Sequence, residues 1–163
     1  MKRLNLIVCL LALSHVMFGY DLIQHVFPNH IATYDGTTVA HMTDGATYTC
    51  NSNASLAAQF DGDPLYLKLK KNGVMVLSPA IANLREISIH HTDGNISLNV
   101  YTSTDGSEWG TPKSVSTSYG RVQVLDLEGN CQVRIENKNN SDVYITEIDY
   151  WTEPCHCLRV VSE

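Results

Sequence analysis

The sequence has few charged residues, few aromatic residues and no long apolar run beyond its N-terminus. Charged residues make up 17% and aromatic residues 8% of the 163 positions. The formal charge is −6, and an acidic chain repels phosphate backbones and anionic lipid surfaces. The composition therefore argues against nucleic-acid binding. No segment after the N-terminus approaches the length of a transmembrane helix.

Recognisable catalytic motifs are also absent. The sequence contains no nucleophile elbow, no phosphate-binding loop and no zinc-protease helix. Its 17 acidic residues could supply an acid–base pair, but nothing in their spacing singles out two of them. We therefore expect a protein that is not an enzyme.

The N-terminus has the pattern of a secretory signal peptide. Lys2 and Arg3 form a basic start, and the apolar segment 4–16 is too short to span a bilayer. Cleavage could follow Ser14 or Gly19, and a buried N-terminal strand or helix is the alternative. Loss of Lys2 and Arg3 leaves nine basic residues against 17 acidic ones, a net charge of −8. We expect a secreted, periplasmic or cell-surface protein with no membrane insertion after cleavage.

Four cysteines remain after such cleavage, namely Cys50, Cys131, Cys155 and Cys157. An even number in an exported chain predicts disulfides, and three pairings are possible. A bridge from Cys50 to the C-terminal pair is plausible if the first and last strands are neighbours. A Cys155–Cys157 bridge would close a small, strained ring and ranks lower. Cys155, His156 and Cys157 also have the composition of zinc ligands, but no second half of such a site is present.

Turn dipeptides and alternating apolar residues indicate β-structure over most of the chain. Asp93-Gly94 suits a two-residue type I′ turn, in which both central residues have positive φ. A hairpin at this turn would bring three pairs together on one face: Ile87 with Val100, Ile89 with Leu98, and His91 with Ile96. Asn72-Gly73 predicts a second hairpin, with Leu69 opposite Val76.

Further strands are expected over residues 121–127, 131–136 and 143–151. Strands that recur every 8–12 residues, with short turns between them, are typical of a sandwich or barrel. We divide the chain into a signal peptide over residues 1–19, an irregular segment over 20–45 and a β-sandwich over 46–163. Within the irregular segment, residues 21–27 could form one helical turn.

Two groups of residues have the chemistry of metal ligands. Asp61-Gly62-Asp63 could offer oxygen atoms to a structural calcium ion, and the alternative is a simple turn before the next strand. His90 and His91 are adjacent in a strand, so their side chains point to opposite faces and could not easily share an ion. No other cofactor is expected.

Candidate ligand-binding residues are aromatic or amide side chains on the predicted strands. A two-residue turn at Asp105-Gly106 would place Trp109 opposite Thr102, in the core, whereas a one-residue bulge would turn it outward. Tyr101 would lie on the other face, across from Glu86. The candidate ligand-binding residues are therefore Tyr101, Asn99, Trp109 and, near the end of the last strand, Trp151. Solvated strand faces commonly carry the same residues.

Three segments resemble a known family. YTSTDGSEWG at 101–110 resembles a hairpin of galactose-binding-like jelly rolls, and QVRIENKNNSDVYITEIDYW at 132–151 resembles their closing strand pair. LSPAIANLREISI at 77–89 is similar to accessory sandwich domains of exported polysaccharide-degrading proteins of Bacteroidetes, including pectate-lyase-associated ones. The resemblance covers roughly residues 46–151.

This resemblance implies an all-β, antiparallel β-sandwich of the jelly-roll, galactose-binding-like type. It also implies a secreted, non-catalytic carbohydrate-binding module whose partners are a polysaccharide or glycan and a separate enzyme or surface protein. The alternative is a structural or protein-interaction domain of a cell-surface assembly.

Overall fold

The computed structural model describes residues 20–36, 38–118 and 120–153. Over these ranges the chain forms thirteen strands, and the ranges contain no helix that could cross a membrane. In chain order the strands are β1 (Asp21–Val26), β2 (Ile31–Tyr34), β3 (Val39–Met42), β4 (Thr47–Cys50), β5 (Ala54–Ala57), β6 (Tyr66–Leu69), β7 (Val74–Ile81), β8 (Leu84–His91), β9 (Ile96–Ser103), β10 (Lys113–Thr117), β11 (Arg121–Val124), β12 (Cys131–Asn137) and β13 (Val143–Thr152).

The strands form two antiparallel sheets that enclose one core. The first sheet has the order β11-β8-β13-β6-β5, and β1 pairs with the part of β13 that β6 leaves open. The second sheet has the order β10-β9-β12-β7-β4-β3-β2. The predicted antiparallel jelly-roll β-sandwich is confirmed, as are strands close to the expected 121–127, 131–136 and 143–151.

The alternation of side chains correctly predicts which residues enter the core. Ile89, Leu98 and Val100 are each at most 2% exposed. They pack in a single hydrophobic cluster to which both sheets contribute. The alternation of apolar residues therefore assigns the faces of these strands correctly.

The predicted hairpin at Asp93-Gly94 is wrong. β8 belongs to the first sheet, where it pairs with β13 and β11, whereas β9 belongs to the second sheet, where it pairs with β12 and β10. Ile89 lies opposite Ile148 and Val122, not opposite Leu98. The dipeptide joins the two sheets as an arch, and Gly94 does not have positive φ. The apolar pattern does not distinguish the two connections, because each strand buries one face whether the pair forms a hairpin or an arch between sheets.

The second predicted hairpin, at Asn72-Gly73, is wrong for the same reason. β6 lies in the first sheet and β7 in the second, so Leu69 pairs with Val143 and Ala54. Asn72 adopts positive φ, and the N–H of Gly73 donates to the carbonyl of Lys70 at 2.7 Å. The turn is real, but it connects sheets and not paired strands.

The segment 20–45 is not irregular as predicted, because it contains β1, β2 and β3. All six residues of β1 pair with β13, which excludes the expected helical turn over 21–27. The β1 segment forms a strand because its backbone pairs with β13, although its own sequence pattern is too weak to predict a strand. The predicted signal peptide over 1–19, and the alternative of a buried N-terminal element, lie outside the described residues.

Cys50 and Cys131 are buried free thiols, and no disulfide joins them in the described part of the chain. They lie on different strands of the second sheet, and burial raises the pKa of both thiols, that of Cys50 to about 11. A buried, protonated thiol behaves as a small apolar side chain. Cys155 and Cys157, with the zinc triplet they form with His156, lie outside the described residues.

A buried polar chain runs between β1 and β13 at one end of the core. His25, 2% exposed, lies 2.8 Å from Asp44 through Nε2 and 2.6 Å from the Tyr48 hydroxyl through Nδ1. The Tyr48 and Tyr150 hydroxyls are 2.9 Å apart. Burial, together with the neighbouring Tyr150, raises the pKa of Tyr48, so both phenols stay neutral.

Candidate functional site

Trp151 lies on the outer face of the first sheet, near the end of β13. A register shift between Ile145 and Glu147 resets the alternation of this strand. As a result Tyr150 points into the core, while Trp151 points outward between Leu22 of β1 and Glu86 of β8. Trp151 is partly exposed on a strand with paired neighbours on both sides, so its position is fixed by the sheet.

A cavity of about 360 Å³ opens beside this tryptophan. Its volume lies within the range of small-ligand sites, roughly 300–1,000 Å³. Two exposed apolar side chains stand at its rim, Tyr20 at 56% and Leu125 at 50% exposure. The full lining is Tyr20, Arg85, Glu86, Leu125, Asp126, Leu127, Glu128, Trp151 and Glu153.

Four carboxylates and one guanidinium line the cavity, which leaves a formal charge of −3. The guanidinium of Arg85 is already engaged, because it lies 2.8 Å from Glu153, and this hydrogen bond raises the pKa of Arg85. Glu86 accepts a hydrogen bond from Gln123 at 2.6 Å, which orients its carboxylate. The lining is therefore acidic, with free acceptor capacity on several oxygens.

The wall opposite Trp151 is the segment after β11, and it is anchored to the second sheet. The Lys113 ammonium donates to the carbonyls of Leu125 and Asp126, at 2.5 and 2.9 Å. The Leu127 N–H donates to the carbonyl of Arg85 at 3.0 Å. These bonds hold the wall in place before any ligand arrives, which lowers the entropic cost of binding.

This arrangement suits a flat, hydroxylated ligand. The indole of Trp151 offers an apolar face for the C–H groups of a sugar ring, with Tyr20 and Leu125 beside it. The surrounding carboxylates and Arg85 can hydrogen-bond with hydroxyl groups at the ring edge.

The next rows of the same face hold a group with metal-ligand chemistry. His90, Glu147 and Asp149 each place one ligand atom within 4.8 Å of the others. The carboxylates of Glu147 and Asp149 are bridged by the Gln24 amide, which donates to them at 2.7 and 3.2 Å.

His91, as expected, points to the other face and is buried. The predicted separation of the two histidines is thus confirmed.

Tyr101 and Asn99 lie on the outer face of the second sheet, on the opposite side of the sandwich from Trp151. Glu86 faces Trp151 and not Tyr101, because β8 and β9 are in different sheets. The Tyr101 ring is covered by Arg134 at 5.0 Å, and its hydroxyl donates to Glu136 at 2.9 Å. The structure therefore does not bring Tyr101, Asn99 and Trp151 into one site.

Trp109 lies in the long connection between β9 and β10, and the expected two-residue turn is wrong. β9 ends at Ser103 and β10 begins at Lys113, so nine residues separate them. Asp105 accepts hydrogen bonds from Ser107 and Glu108, which lower the pKa of its carboxyl group. Trp109 is partly buried and is not part of the hydrophobic core.

Asp61 and Asp63 lie in the connection from β5 to β6. Asp63 accepts a hydrogen bond from the Phe60 N–H at 3.0 Å, and Gly62 has positive φ, as in a tight turn. Asp61 is exposed. The structural calcium ion expected at this turn stays a prediction.

Sequence reasoning identified Trp151 but missed the residues around it. Glu86 comes from β8, while Asp126 and Glu128 come from the segment after β11. Their proximity depends on β8 lying between β13 and β11, and no local pattern encodes that order. The one available signal was the mixture of acidic and apolar residues over 125–128, which fits a functional loop as well as a solvated one.

No protein-family model and no curated protein matches this chain. Among solved structures it is similar to a family 89 glycoside hydrolase of Clostridium perfringens in complex with GlcNAc-α-1,4-galactose. The TM-score is 0.53 and the identity 22%, over 69% of this chain and 14% of that chain. This chain thus spans only a small part of the hydrolase.

A structure described as a family 29 carbohydrate-binding module is also similar, with a TM-score of 0.51 and 12% identity. The match covers 82% of this chain and 90% of that one. Identities this low show a shared fold, the β-sandwich, and leave the ligand open.

Proposed function

We propose that this chain is a non-catalytic carbohydrate-binding module whose glycan site is the cavity beside Trp151. The observation that carries the proposal is the partly exposed indole, held on a central strand, next to a pre-formed cavity rich in hydrogen-bonding groups. The similarity in fold to a carbohydrate-binding module and to a segment of a glycoside hydrolase supports it.

The binding mechanism combines stacking with hydrogen bonds. An aromatic contact contributes about 1 kcal/mol beyond its buried area, and each hydrogen bond contributes about 1 kcal/mol net. One stacked ring with a few such bonds gives a Kd in the range of roughly 10 µM to 1 mM. This is a weak, reversible contact, which suits a module that holds onto a polymer at several points.

The remaining features of the proposal come from the sequence. The basic, then apolar N-terminus supports export to the periplasm, cell surface or medium, and the segment 77–89 supports an origin in Bacteroidetes. The module would act beside a separate enzyme or surface protein. The calcium ion proposed at Asp61 and Asp63 would be structural, and EDTA should then lower the melting temperature.

A panel of soluble polysaccharides in affinity gels, followed by calorimetry on any ligand found, tests the proposal. Trp151→Ala should weaken binding at least about tenfold, because it removes the stacking surface. Tyr101→Ala, on the opposite face, should leave the affinity within about twofold. Retention that survives Trp151→Ala but is lost in Tyr101→Ala would move the site to the second sheet, and no retention by any glycan would refute the function.

A protein-interaction role is the second candidate, and one feature favours it. Phe60 and Leu65, both in the connection from β5 to β6, are 69% and 45% exposed. Two exposed apolar side chains on one short connection can form part of a contact surface. This alternative predicts concentration-dependent self-association by sedimentation that Phe60→Ser abolishes, together with no glycan affinity.

A further inference from the structure

The charge of the cavity has a consequence for the kind of sugar that it accepts, provided that the proposed function holds. We propose that the cavity selects glycans by charge. Sugars that carry a protonated amine bind more tightly than their N-acetylated counterparts, and uronic acids bind most weakly.

The lining supplies negative charge that its own basic groups do not offset. Glu86, Asp126, Glu128 and Glu153 surround the opening, and Arg85 is the one basic residue among the lining side chains. Arg85 pairs with Glu153 at 2.8 Å, and the Lys113 ammonium lies against the carbonyls of Leu125 and Asp126. Four carboxylates with these two cations still leave a formal charge of −2. Signal cleavage after Gly19 would add one α-ammonium at Tyr20 and would still leave the lining negative.

The negative character continues from the cavity along β13. Asp149 and Glu147 follow Trp151 toward the middle of the strand, on the same outer face. The basic groups beside them are His90, which lies 3.2 Å from Asp149, and the exposed Arg121 at the edge of the sheet. A glycan that extends from the indole along this face therefore meets carboxylates first.

The physical cause is the sum of several weak interactions. A single exposed ion pair contributes little, but one ammonium among several carboxylates gains from each of them. A uronate placed on the same ring would meet repulsion from each of them and would also lose solvation. Because the carboxylates are at or near the surface, the preference should fade as salt shortens the screening length from about 10 Å at 0.1 M.

Matched hexose derivatives test the inference on the full mature chain. Oligosaccharides of glucosamine, galactosamine and mannosamine are compared with their N-acetylated and uronic counterparts by calorimetry at about pH 5.5, where the sugar amine carries its proton. In 20 mM salt we expect that, for at least one of the three hexoses, the amino sugar binds about fivefold more tightly than the N-acetyl form and the uronate binds most weakly. In 1 M salt the three affinities should converge.

Charge-removing variants assign the preference to the cavity. Asp126→Asn keeps a residue that tolerates the positive φ found there, and combined with Glu128→Gln it removes two charges. This double variant should bring the ratio of amine to N-acetyl affinity close to one. Asp142→Asn is the control, because it removes a partly exposed carboxylate far from the cavity. Asp142 lies nine residues before Trp151, a distance of about 30 Å along the direction of β13.

The outcomes separate the two proposals. Equal affinities on every scaffold, a uronate that binds best, binding of other glycans with no member of this panel bound, or a preference that Asp126→Asn/Glu128→Gln leaves intact would each overturn the inference while the glycan-binding function stands. Absence of binding to every glycan tested would instead overturn the function.

Discussion

At the scale of single residues, the polar chain from Asp44 to Tyr150 shows how this small core tolerates buried polar groups. An ionised Asp44 only accepts, so the Nε2 of His25 donates to it, and the Nδ1 of the same ring hydrogen-bonds with the Tyr48 hydroxyl. Burial alone would raise the pKa of Asp44, but hydrogen bonds from His25 and Ala46 outweigh it and lower that pKa. Each polar atom in this chain therefore has a partner.

Tyr48→Phe should be costly although it removes one oxygen atom. It leaves the Tyr150 hydroxyl and one ring nitrogen of His25 unpaired in the core, and we expect a loss of about 2 kcal/mol in the free energy of unfolding. Urea denaturation measures this loss. Tyr66→Phe is the control, because Tyr66 is only partly buried, and it should change stability by less than about 0.5 kcal/mol. Equal effects of the two variants would contradict a structural role for the chain.

His91 is the opposite case, a buried polar side chain that is poorly satisfied. It is 6% exposed, and neither ring nitrogen has a well-formed hydrogen bond. Burial lowers its pKa, with His90 acting in the same direction and Asp93 opposing. The folded state therefore prefers the neutral ring, so this contribution to stability is complete above about pH 6.5 and declines as the pH falls below that value.

His91→Leu should therefore raise the free energy of unfolding and flatten its pH dependence between about pH 5 and 7. Replacement of an unsatisfied polar ring by an apolar side chain of similar size gives a gain of about 1 kcal/mol at pH 5.5. Denaturation curves over this pH range provide the measurement, with His41→Ala as the variant that removes an exposed histidine. A pH dependence that His91→Leu leaves unchanged would show that other groups control it.

At the scale of elements, the two arches carry most of the difference between the expected and the observed fold. Asn72-Gly73 and Asp93-Gly94 each pass the chain from the first sheet to the second. A Cβ at Gly73 would lie 2.6 Å from the Asn53 carbonyl oxygen, whereas a Cβ at Gly94 would meet nothing within 4 Å. Each glycine follows an Asn or Asp in a connection between the sheets, yet their steric surroundings are very different.

Gly73→Ala should lower the free energy of unfolding by at least about 2 kcal/mol, because backbone must move to admit the methyl group. Gly94→Ala should leave stability unchanged or raise it by up to about 1 kcal/mol, since φ there suits alanine and the unfolded chain loses freedom. Chemical denaturation of both variants measures these changes in the free energy of unfolding. A type I′ hairpin at Asp93-Gly94 would make Gly94→Ala clearly destabilising, which is the contrary result.

The same elements show what a single sequence can predict. Alternation gives the face of each residue, so Ile89, Leu98 and Val100 were assigned to the core correctly. It does not give the partner strand, because a short turn between two amphipathic strands fits a hairpin and an arch equally. β1 shows the converse limit, since its strand depends on pairing with β13, which is more than a hundred residues away.

At the scale of the whole molecule, the sandwich determines which of the candidate aromatic residues can share a site. Trp151 and Tyr101 lie on opposite outer faces, with the core between them. Trp151 could be found from the sequence because it is an aromatic residue near the end of a strand. Its acidic surroundings could not, because β8 and the segment after β11 reach it only through the sheet order.

Ligand binding at this position should stabilise the whole fold. The cavity combines β8, β13 and the segment 125–128, so a ligand that binds only the folded state adds its binding free energy to that of folding. At 100 times Kd the gain is about 2.7 kcal/mol, which for a domain of this size raises the melting temperature by roughly 5–10 °C.

Differential scanning calorimetry with a glycan identified by affinity gels measures this shift. Trp151→Ala should reduce the shift to about half or less at the same ligand concentration, because a tenfold weaker Kd lowers the gain to about 1.4 kcal/mol. Tyr101→Ala should lower the melting temperature of the free protein, since it removes a partly buried ring packed on Arg134, yet it should keep the full ligand-induced shift. A shift that vanishes in Tyr101→Ala and persists in Trp151→Ala would place the binding face on the second sheet.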